Sequence, residues 1–193
     1  GDLETPDTDG EITGSYGTLA WDAETGAYTY NLNSANVTVQ ALGVGETLIE
    51  TFTYEITDGN GGIDTAKLTI TIFGTNDGPV ANNDTNWIQE GQATATGNDL
   101  LTVAHPGAPS GSFSDNADTD TDGDDLDVVG FVTGNADDGD LETPDTDGSI
   151  TGSYGTLTWT GATGAYTYSL NNANATVQAL GVGETLIETF TYE

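Results

Sequence analysis

The residues best suited to chemistry in this sequence are three aspartates spaced two apart and followed by a glycine. Asp118, Asp120, Asp122 and Gly123 form the pattern D-x-D-x-D-G. This spacing places three carboxylates on one side of a turn that the glycine allows to close sharply, as in the first half of an EF-hand loop. The match ends there, because Val129 occupies the twelfth position and the flanking segments are predicted strands. We predict a calcium loop; the alternative is a flexible, solvated acidic loop.

Three more groups of oxygen-bearing side chains are candidate calcium ligands. Further aspartates of the same loop, Asp124, Asp125 and Asp127, can complete a shell of about 6 to 8 oxygens. A second group, in TDGNGGID, comprises Asp58, Asn60 and Asp64, although DGNGG is also a good hairpin turn. The third group lies at and just after the segment 74–84 and comprises Asn76, Asp77, Asn83, Asp84 and Glu90. The two copies of PDTDG, at 6–10 and 144–148, supply only two carboxylates each.

The overall charge narrows the class of partner. The chain has 32 Asp and Glu against one Lys or Arg and one His, for a net charge of −31. Nucleic acid and anionic membrane surfaces are excluded as partners, because both are bound through basic side chains. Clustered like charges in short loops repel one another unless a divalent cation lies between them. Ca²⁺ is therefore the predicted cofactor.

Other functional classes lack their signature residues. The 193 residues include no cysteine, which removes disulfides and Cys-ligated zinc. No apolar run approaches the roughly 20 residues of a membrane helix, so direct membrane insertion is not expected. The only histidine, His105, precedes a proline in a predicted loop, where a surface position is expected rather than a catalytic one. We predict that the protein is not an enzyme.

The chain repeats itself after 138 residues. Residues 1–55 return at 139–193 with 47 of 55 positions identical. A long and nearly identical repeat is typical of a tandem array, in which one folded unit is copied many times. The segment GTNDGPVANND at 74–84 interrupts the apolar pattern and is the predicted boundary. We therefore assign 1–78 to the C-terminal part of one repeat unit and 79–193 to the N-terminal part of the next.

Alternating apolar and polar residues predict strands rather than helices. The clearest strands cover 15–21, 27–32, 51–57 and 66–73, with Tyr28, Tyr30 and Leu32, then Phe52, Tyr54 and Ile56, then Leu68, Ile70 and Ile72 on the buried faces. A hairpin at 23–26 and one helical turn at 39–42 are also expected. Weaker strand candidates are 87–96, 99–104 and 126–133. The expected fold is all-β: an antiparallel Greek-key sandwich in tandem repeats.

The most specific segments, GSYGTL, GAYTYNL, TFTYEITDGNGG and GTNDGPV, resemble the VCBS-type repeat, a cadherin-like module of very large bacterial RTX adhesins. The resemblance implies calcium-bound, Ig-like or cadherin-like sandwiches strung end to end outside the cell. It also implies export by type I secretion and a role in attachment and biofilm formation. By the same resemblance, Asn76, Asp77 and Pro79 correspond to the joint between modules. Glu90 and a pair from Asp118, Asp120 and Asp122 would reach back to that joint.

The predicted function is a calcium-stabilised structural extender of a bacterial surface adhesin. The runner-up is a calcium-dependent carbohydrate- or surface-binding module, which needs an exposed aromatic platform or an open calcium coordination face. Near-identical copies favour the extender. Its partners are the neighbouring repeat units of the same protein. Each part assigned above lacks strands that the other repeat carries, so we also predict strand or domain exchange between chains.

Overall fold

The structure, a computed structural model, describes residues 9–134 and 147–193, which form short antiparallel strands and a few single helical turns. The chain divides into two compact units. Unit 1 contains the described residues up to Gly78 together with Thr121–Asp124, and unit 2 contains Pro79–Asp120 and the described residues from Asp125 to Glu193. No helix in the described ranges is long and apolar enough to cross a membrane.

Unit 1 consists of a three-stranded sheet and a long hairpin. The sheet has the order β1-β2-β3, and β4 pairs with β5 over eleven residues, from Thr47↔Phe73 to Thr57↔Ile63. Tyr30 of β3 packs on Phe52 of β4 with ring centroids 6.1 Å apart, so the two sheets face each other. The elements are β1 (Gly10–Thr13), β2 (Gly17–Trp21), β3 (Tyr28–Leu32), α1 (Val37–Gln40), β4 (Thr47–Thr57) and β5 (Ile63–Phe73).

Unit 2 contains a four-stranded sheet of order β10-β11-β12-β6 and two short strand pairs, β9 with β13 and β7 with β8. Strands β10, β11 and β12 are consecutive neighbours in the sheet. Strand β6 precedes them in the chain, is separated from β10 by a long connection, and pairs with β12, which is a Greek-key arrangement. The elements are β6 (Thr94–Asn98), β7 (Val103–Ala104), β8 (Ser114–Asp115), β9 (Phe131–Thr133), β10 (Gly148–Thr151), β11 (Gly155–Thr160), a 3₁₀ turn (Gly161–Thr163), β12 (Ala165–Leu170), α2 (Ala175–Gln178) and β13 (Phe190–Tyr192).

The core of unit 2 lies between its sheets. Val128, Phe131 and Leu157 are buried together. Phe131 packs against Trp159 and Tyr192, with ring centroids 5.0 and 5.5 Å apart. These contacts join the four-stranded sheet to the β9–β13 pair, and burying one such side chain contributes about 1.5–3 kcal/mol. The fold class is therefore the predicted one: all-β, antiparallel and sandwich-like.

The two copies of the repeat contain the same carboxylate clasp, buried in unit 1 and half-buried in unit 2. In unit 1, Glu50 is 7% exposed, accepts the backbone N–H groups of Ser15 and Tyr16 on Oε1, and accepts the Tyr30 hydroxyl on Oε2 at 2.6 Å. In unit 2, Glu188 makes the equivalent bonds to Ser153, Tyr154 and Tyr168, the last at 2.5 Å. The spacing of apolar residues gave no sign of this buried acid.

Several predicted elements are shifted or shortened. The helical turn covers Val37–Gln40 rather than 39–42, because the Asn36 side chain caps the N–H groups of Thr38 and Val39. The predicted strand at 126–133 is confirmed only over Phe131–Thr133, and that at 99–104 only over Val103–Ala104. The strand at 87–96 forms only from Thr94 onward.

The shortened strand and two missed strands have local causes. Before Thr94, side-chain hydrogen bonds replace the ladder: the Trp87 N–H donates to Asn86 Oδ1, and the Trp87 indole donates to His105 O. The alternation did not predict β1 and β10, whose first residues are glycines covered by the rings of Trp21 and Trp159. Of the side chains predicted to be buried, Tyr28, Tyr54 and Ile56 are about half or more exposed, at 54%, 49% and 61%.

Candidate metal centre

The loop that follows Asp118 brings three carboxylates together. One oxygen from each of Asp120, Asp122 and Asp124 lies within 4.8 Å of the others, and Gly123 between them has a φ of 78°. This left-handed conformation suits glycine and turns the chain so that alternate side chains converge. The group is displaced by two residues from the expected Asp118, Asp120 and Asp122. Asp118 lies elsewhere.

Asp118 belongs to a second acidic group, within unit 2. Its Oδ1 accepts the backbone N–H of Asn82 at 2.7 Å and lies 3.1 Å from the Tyr192 hydroxyl. That hydroxyl donates to the backbone oxygen of Asn82 at 2.7 Å and lies 3.3 Å from Oδ2 of Asp84. The other Asp84 oxygen accepts the N–H of Asn116 at 2.6 Å. Backbone donors thus orient two carboxylates around one phenol.

Two aspartates that the sequence analysis did not select complete this group. Asp99, directly after β6, is 2% exposed; in the described part of the chain no N–H or hydroxyl group donates to its Oδ2, and its carboxyl group lies beside that of Asp84. Asp115, in β8, is 0% exposed and accepts the N–H of Asn98 and the hydroxyl of Tyr166, each at 2.8 Å. We call Asp84, Asp99, Asp115 and Asp118 the buried acidic cluster. Asp99 lies in a segment that contains few charges, and Asp115 lies three residues before the D-x-D-x-D-G pattern and outside its spacing, so the pattern selected neither.

The electrostatics of the cluster reflect uncompensated negative charge. Burial, followed by the repulsion of Asp84, raises the pKa of Asp99 to about 8. Burial also raises the pKa of Asp84, and Asp115 adds to the effect, while the Asn116 N–H opposes it. The pKa of Tyr192 is raised, first by burial and then by Asp84 and Asp118. Charges in such a position are held only if a proton or a cation neutralises part of them.

His105 corrects an expectation from the sequence. Its side chain is only 9% exposed, and Nε2 lies 3.0 Å from Oδ2 of Asp115. The expected surface position is therefore wrong, because residues 103–105 run alongside Phe113 and β8 and carry the imidazole inward. Since Asp115 is fully buried and also bonded to Tyr166, the pair is closed to a substrate.

The group at the β4–β5 hairpin is a turn. Oδ1 of Asp58 accepts the backbone N–H groups of Asn60 and Gly62 at 2.8 and 2.9 Å. These bonds lower the pKa of Asp58. Asp64 Oδ1 accepts the N–H of the next residue, Thr65, at 2.8 Å. These bonds are those of a hairpin turn, and calcium binding by Asp58, Asn60 and Asp64 stays a prediction.

The remaining candidates form no further carboxylate group among the described residues, although Asn76 and Asp77 lie beside the loop. The backbone N–H of Asp77 donates to Asp122 Oδ2 at 2.8 Å, and the Asn76 side chain donates to the Asp77 carbonyl at 2.7 Å. Glu90 and Asp127 are exposed, and neither belongs to the three-carboxylate group of the loop. Asp9 and Asp147, from the PDTDG copies, cap the turns after β2 and β11 by accepting the N–H groups of Ala23 and Gly161. The rest of both PDTDG copies, except their final glycines, lies outside the described residues.

Comparison with known proteins identifies one similarity. Residues 2–71 match a family model described as a bacterial Ig domain. That range includes β1 to β4 and most of β5, and an Ig-like domain agrees with the antiparallel sandwich of the structure. A bacterial Ig-like repeat is consistent with an extracellular structural or adhesive role and is typically not enzymatic. Neither the curated proteins nor the solved structures gave a match.

Proposed function

We propose that this chain is part of a calcium-stabilised extender of a large bacterial surface adhesin, in which VCBS-like modules repeat end to end and project adhesive domains from the cell. The observation that best supports this proposal is that the structure repeats as well as the sequence. Strands β1 to β3 recur as β10 to β12, and the Glu50 clasp recurs at Glu188. A spacer benefits from identical copies because length is the property that it supplies.

Calcium is the cation that fits the donors best. All the converging groups are oxygens, and carboxylates with backbone carbonyls are the ligands that Ca²⁺ prefers. The buried acidic cluster supports an ion through the carboxyl groups of Asp99 and Asp84, which lie close enough to share a proton that a cation would replace. In the loop, Asp120, Asp122 and Asp124 would hold an ion; in the cluster, Asp84, Asp99 and Asp118 would do so. When bound, the ion neutralises charges that otherwise repel one another.

An extracellular location on the bacterial surface after type I secretion belongs to the same proposal, as does a role in attachment and biofilm formation. Extracellular calcium modules bind with dissociation constants of about 10⁻⁴–10⁻³ M, which suits sites that fill at millimolar calcium. The absence of cysteine means that ion binding, not disulfides, would supply the extra stability that exposed modules need.

The runner-up, a carbohydrate-binding module, has less support. Stacking on a sugar needs an exposed aromatic face, whereas Trp21, Trp87 and Trp159 are all half-buried. Trp87 also donates its indole N–H to His105 O at 3.0 Å. Trp159 packs on Phe131. These rings serve the packing of their own units.

Calcium titration of the whole chain tests the proposal. Thermal unfolding is followed in EDTA and at rising CaCl₂, with MgCl₂ at the same ionic strength as the control. A hundredfold excess over the dissociation constant adds about 2.7 kcal/mol for one site. We expect the melting temperature to rise with calcium well beyond the effect of magnesium. Equal melting temperatures in EDTA and in millimolar calcium would contradict the proposal.

A further inference from the structure

Strands β3 and β12 are equivalent in the repeat but differ in their neighbours. Residues 27–32 and 165–170 differ only at Asn31, which corresponds to Ser169. In unit 2, β12 pairs with β11 on one edge and with β6 on the other, from Ala165↔Asn98 to Ser169↔Thr94. In unit 1, β3 pairs with β2 alone among the described strands. The same strand is central in one copy and at an edge in the other.

The register identifies which backbone groups of β3 lie on its free edge. Odd-numbered residues flanking β3 bond toward β2, as in Asp22 N to Ala27 O and Asn33 N to Tyr16 O. The side of β12 that faces β6 uses even-numbered residues, as in Leu170 N to Ala93 O and Asp99 N to Gly164 O. Because the repeat spacing is even, the matching groups in unit 1 are those of Tyr28, Tyr30 and Leu32. They point away from β2.

Strand β4 pairs with β5 along one edge, and its other edge corresponds to the edge of β13 that pairs with β9. In unit 2, β13 pairs with β9, and the flanking bonds are Gly134 N to Thr189 O and Glu193 N to Gly130 O. Thr189 and Glu193 correspond to Thr51 and Glu55, which are odd-numbered. The β4–β5 hairpin instead uses even-numbered residues, as in Gly74 N to Glu46 O and Asp58 N to Gly62 O. A counterpart of β9 and strand β5 can therefore occupy opposite edges of β4 together.

Two exposed tyrosines mark the same surface. Tyr28 and Tyr54 are 54% and 49% exposed. Their counterparts are half-buried and bonded to residues of the 79–134 segment: Tyr166 donates to Asp115, and Tyr192 lies between Asn82, Asp84 and Asp118. Each exposed phenol of unit 1 thus has a known acceptor in a segment that unit 1 does not contain.

We propose that the free edges of β3 and β4 are a docking surface for a second copy of residues 79–134, connected ahead of Gly1 as the present copy is connected ahead of Gly139. The counterpart of β6 adds to β3, and that of β9 adds to β4. The resulting module has a four-stranded sheet facing a three-stranded sheet. The phenols of Tyr28 and Tyr54 enter the acidic cluster of the incoming copy. The pairing uses backbone groups and does not depend on the calcium proposal.

Amide hydrogen exchange on the whole chain, and on the chain extended at Gly1 by a copy of residues 79–138, tests the inference. The unextended chain provides an internal reference, since the amides of Tyr166, Tyr168 and Leu170 are paired and those of Tyr28, Tyr30 and Leu32 are not. We expect the extension to slow exchange of the second set at least tenfold. The matched control carries Ala95→Pro in the added copy, which removes a donor of the β6 counterpart and should cancel the protection.

Three results would overturn the inference. The first is unchanged exchange at Tyr28, Tyr30 and Leu32 after extension, while the amides of the present unit 2 remain protected. The second is equal protection with and without Ala95→Pro. The third is protection that is already present in the unextended chain and independent of protein concentration, because β3 would then have a partner other than a second copy of residues 79–134. Measuring exchange both in calcium and in EDTA distinguishes failure of the strand pairing from failure of calcium binding.

Discussion

Asp99 shows how a single carboxylate can be both a cost and a ligand. Its carboxyl group is buried beside Asp84 in unit 2, away from water that would solvate it. Without a cation the group takes up a proton at neutral pH, because burial and Asp84 raise its pKa to about 8, and with a cation the same group contributes binding energy. The two roles can be separated by removing the charge and keeping the shape.

Asp99→Asn should affect stability differently in the two conditions. In EDTA at neutral pH the variant should be about as stable as the native chain, because the raised pKa of Asp99 already keeps its carboxyl group largely protonated beside Asp84. In calcium it should lose most of the gain from that site, about 2.7 kcal/mol at a hundredfold excess over its dissociation constant. Thermal unfolding in both conditions measures the effect, and Glu24→Gln, which changes an exposed acid outside all the candidate calcium groups, is the control. A loss of stability in EDTA equal to that in calcium would indicate a purely structural role.

The clasp at Glu50 gives a second residue-level prediction. Glu50→Ala removes the acceptor for two backbone N–H groups and the Tyr30 hydroxyl in a buried position. Leaving a buried donor unsatisfied costs about 1–3 kcal/mol, so unit 1 should be destabilised by about that amount or more. Glu50→Gln should cost less because its amide oxygen still accepts. Chemical denaturation measures both, with Glu24→Ala on the exposed turn as the control; equal stability of Glu50→Ala and Glu24→Ala would refute the role.

At the scale of elements, the hairpin turns differ between copies where the sequence differs. After β2, Oδ1 of Asp22 accepts the N–H groups of Glu24 and Thr25, each at 2.9 Å. After β11, Thr160 stands in the place of Asp22, and the chain forms a 3₁₀ turn that ends at Gly164 with a φ of 62°. Both turns join strands of the same register, so the hairpin depends on the strands more than on one turn chemistry.

The Asp22 turn should be sensitive to acid. Bonds from Thr25 lower the pKa of Asp22 below its usual value of 3.8, with Glu24 adding to the effect. A carboxyl group with a lowered folded-state pKa stabilises the fold above its unfolded-state pKa, and this contribution is lost as the pH falls through the folded-state pKa. An NMR titration should give Asp22 a pKa below 3.8, and Asp22→Asn should flatten the acid limb of unit 1 stability. A measured pKa at or above 3.8 would contradict the turn geometry.

Strand β2 begins at Gly17, where neighbouring atoms leave no room for a side chain. A Cβ at Gly17 would overlap the backbone oxygen of Asn31 and the ring of Tyr30. Gly17→Ala should therefore destabilise unit 1 by about 1–3 kcal/mol, as overpacking does elsewhere. Gly78→Ala is the control, since no atom lies within 4 Å of a Cβ built there. Urea denaturation compares the two variants, and equal midpoints would show that the strand yields without cost.

The sequence predicted the elements better than the site. Period-two alternation located β2 to β5 because Phe52, Leu68 and Ile72 lie on faces that pack. It missed β1 and β10, whose glycines are hidden under tryptophan rings. Charge spacing located the acidic loop, but the loop gathers Asp120, Asp122 and Asp124 because Gly123 redirects the chain. The sequence could not identify Asp99 as a site residue, because only the tertiary fold places it beside Asp84.

At the scale of the whole molecule, the net charge of −31 on 193 residues sets the response to ions. Screening by monovalent salt weakens long-range repulsion, with a Debye length of about 10 Å at 0.1 M. Sodium chloride at high concentration should therefore stabilise the calcium-free chain modestly. Calcium should act at concentrations lower by two orders of magnitude or more, if it binds the described sites. Melting temperatures measured across the sodium chloride and calcium titrations compare the two salts. Equal melting temperatures at equal ionic strength would mean that calcium acts only by screening charge.

Exchange between chains stays a prediction. In unit 2, β6 and β9 already pair with β12 and β13 of the same chain. Exchange must therefore displace these strands in favour of β3 and β4 from another molecule. Sedimentation velocity over a wide concentration range measures it: a dimer that persists on dilution supports exchange, and a compact monomer at every concentration contradicts it.

The near-identity of β3 and β12 has a kinetic consequence. A strand such as β6 has almost no sequence information by which to distinguish one repeat from the next, since 27–32 and 165–170 differ at one position. Residues 33–93 connect β3 to β6 and residues 99–164 connect β6 to β12, so both tethers are of similar length and both keep the strand at an effective concentration far above that of another chain. Fidelity in an array of this kind therefore depends on how the connecting segments fold, and changes within 99–164 that leave β6 and β12 intact would cause mispairing between repeats.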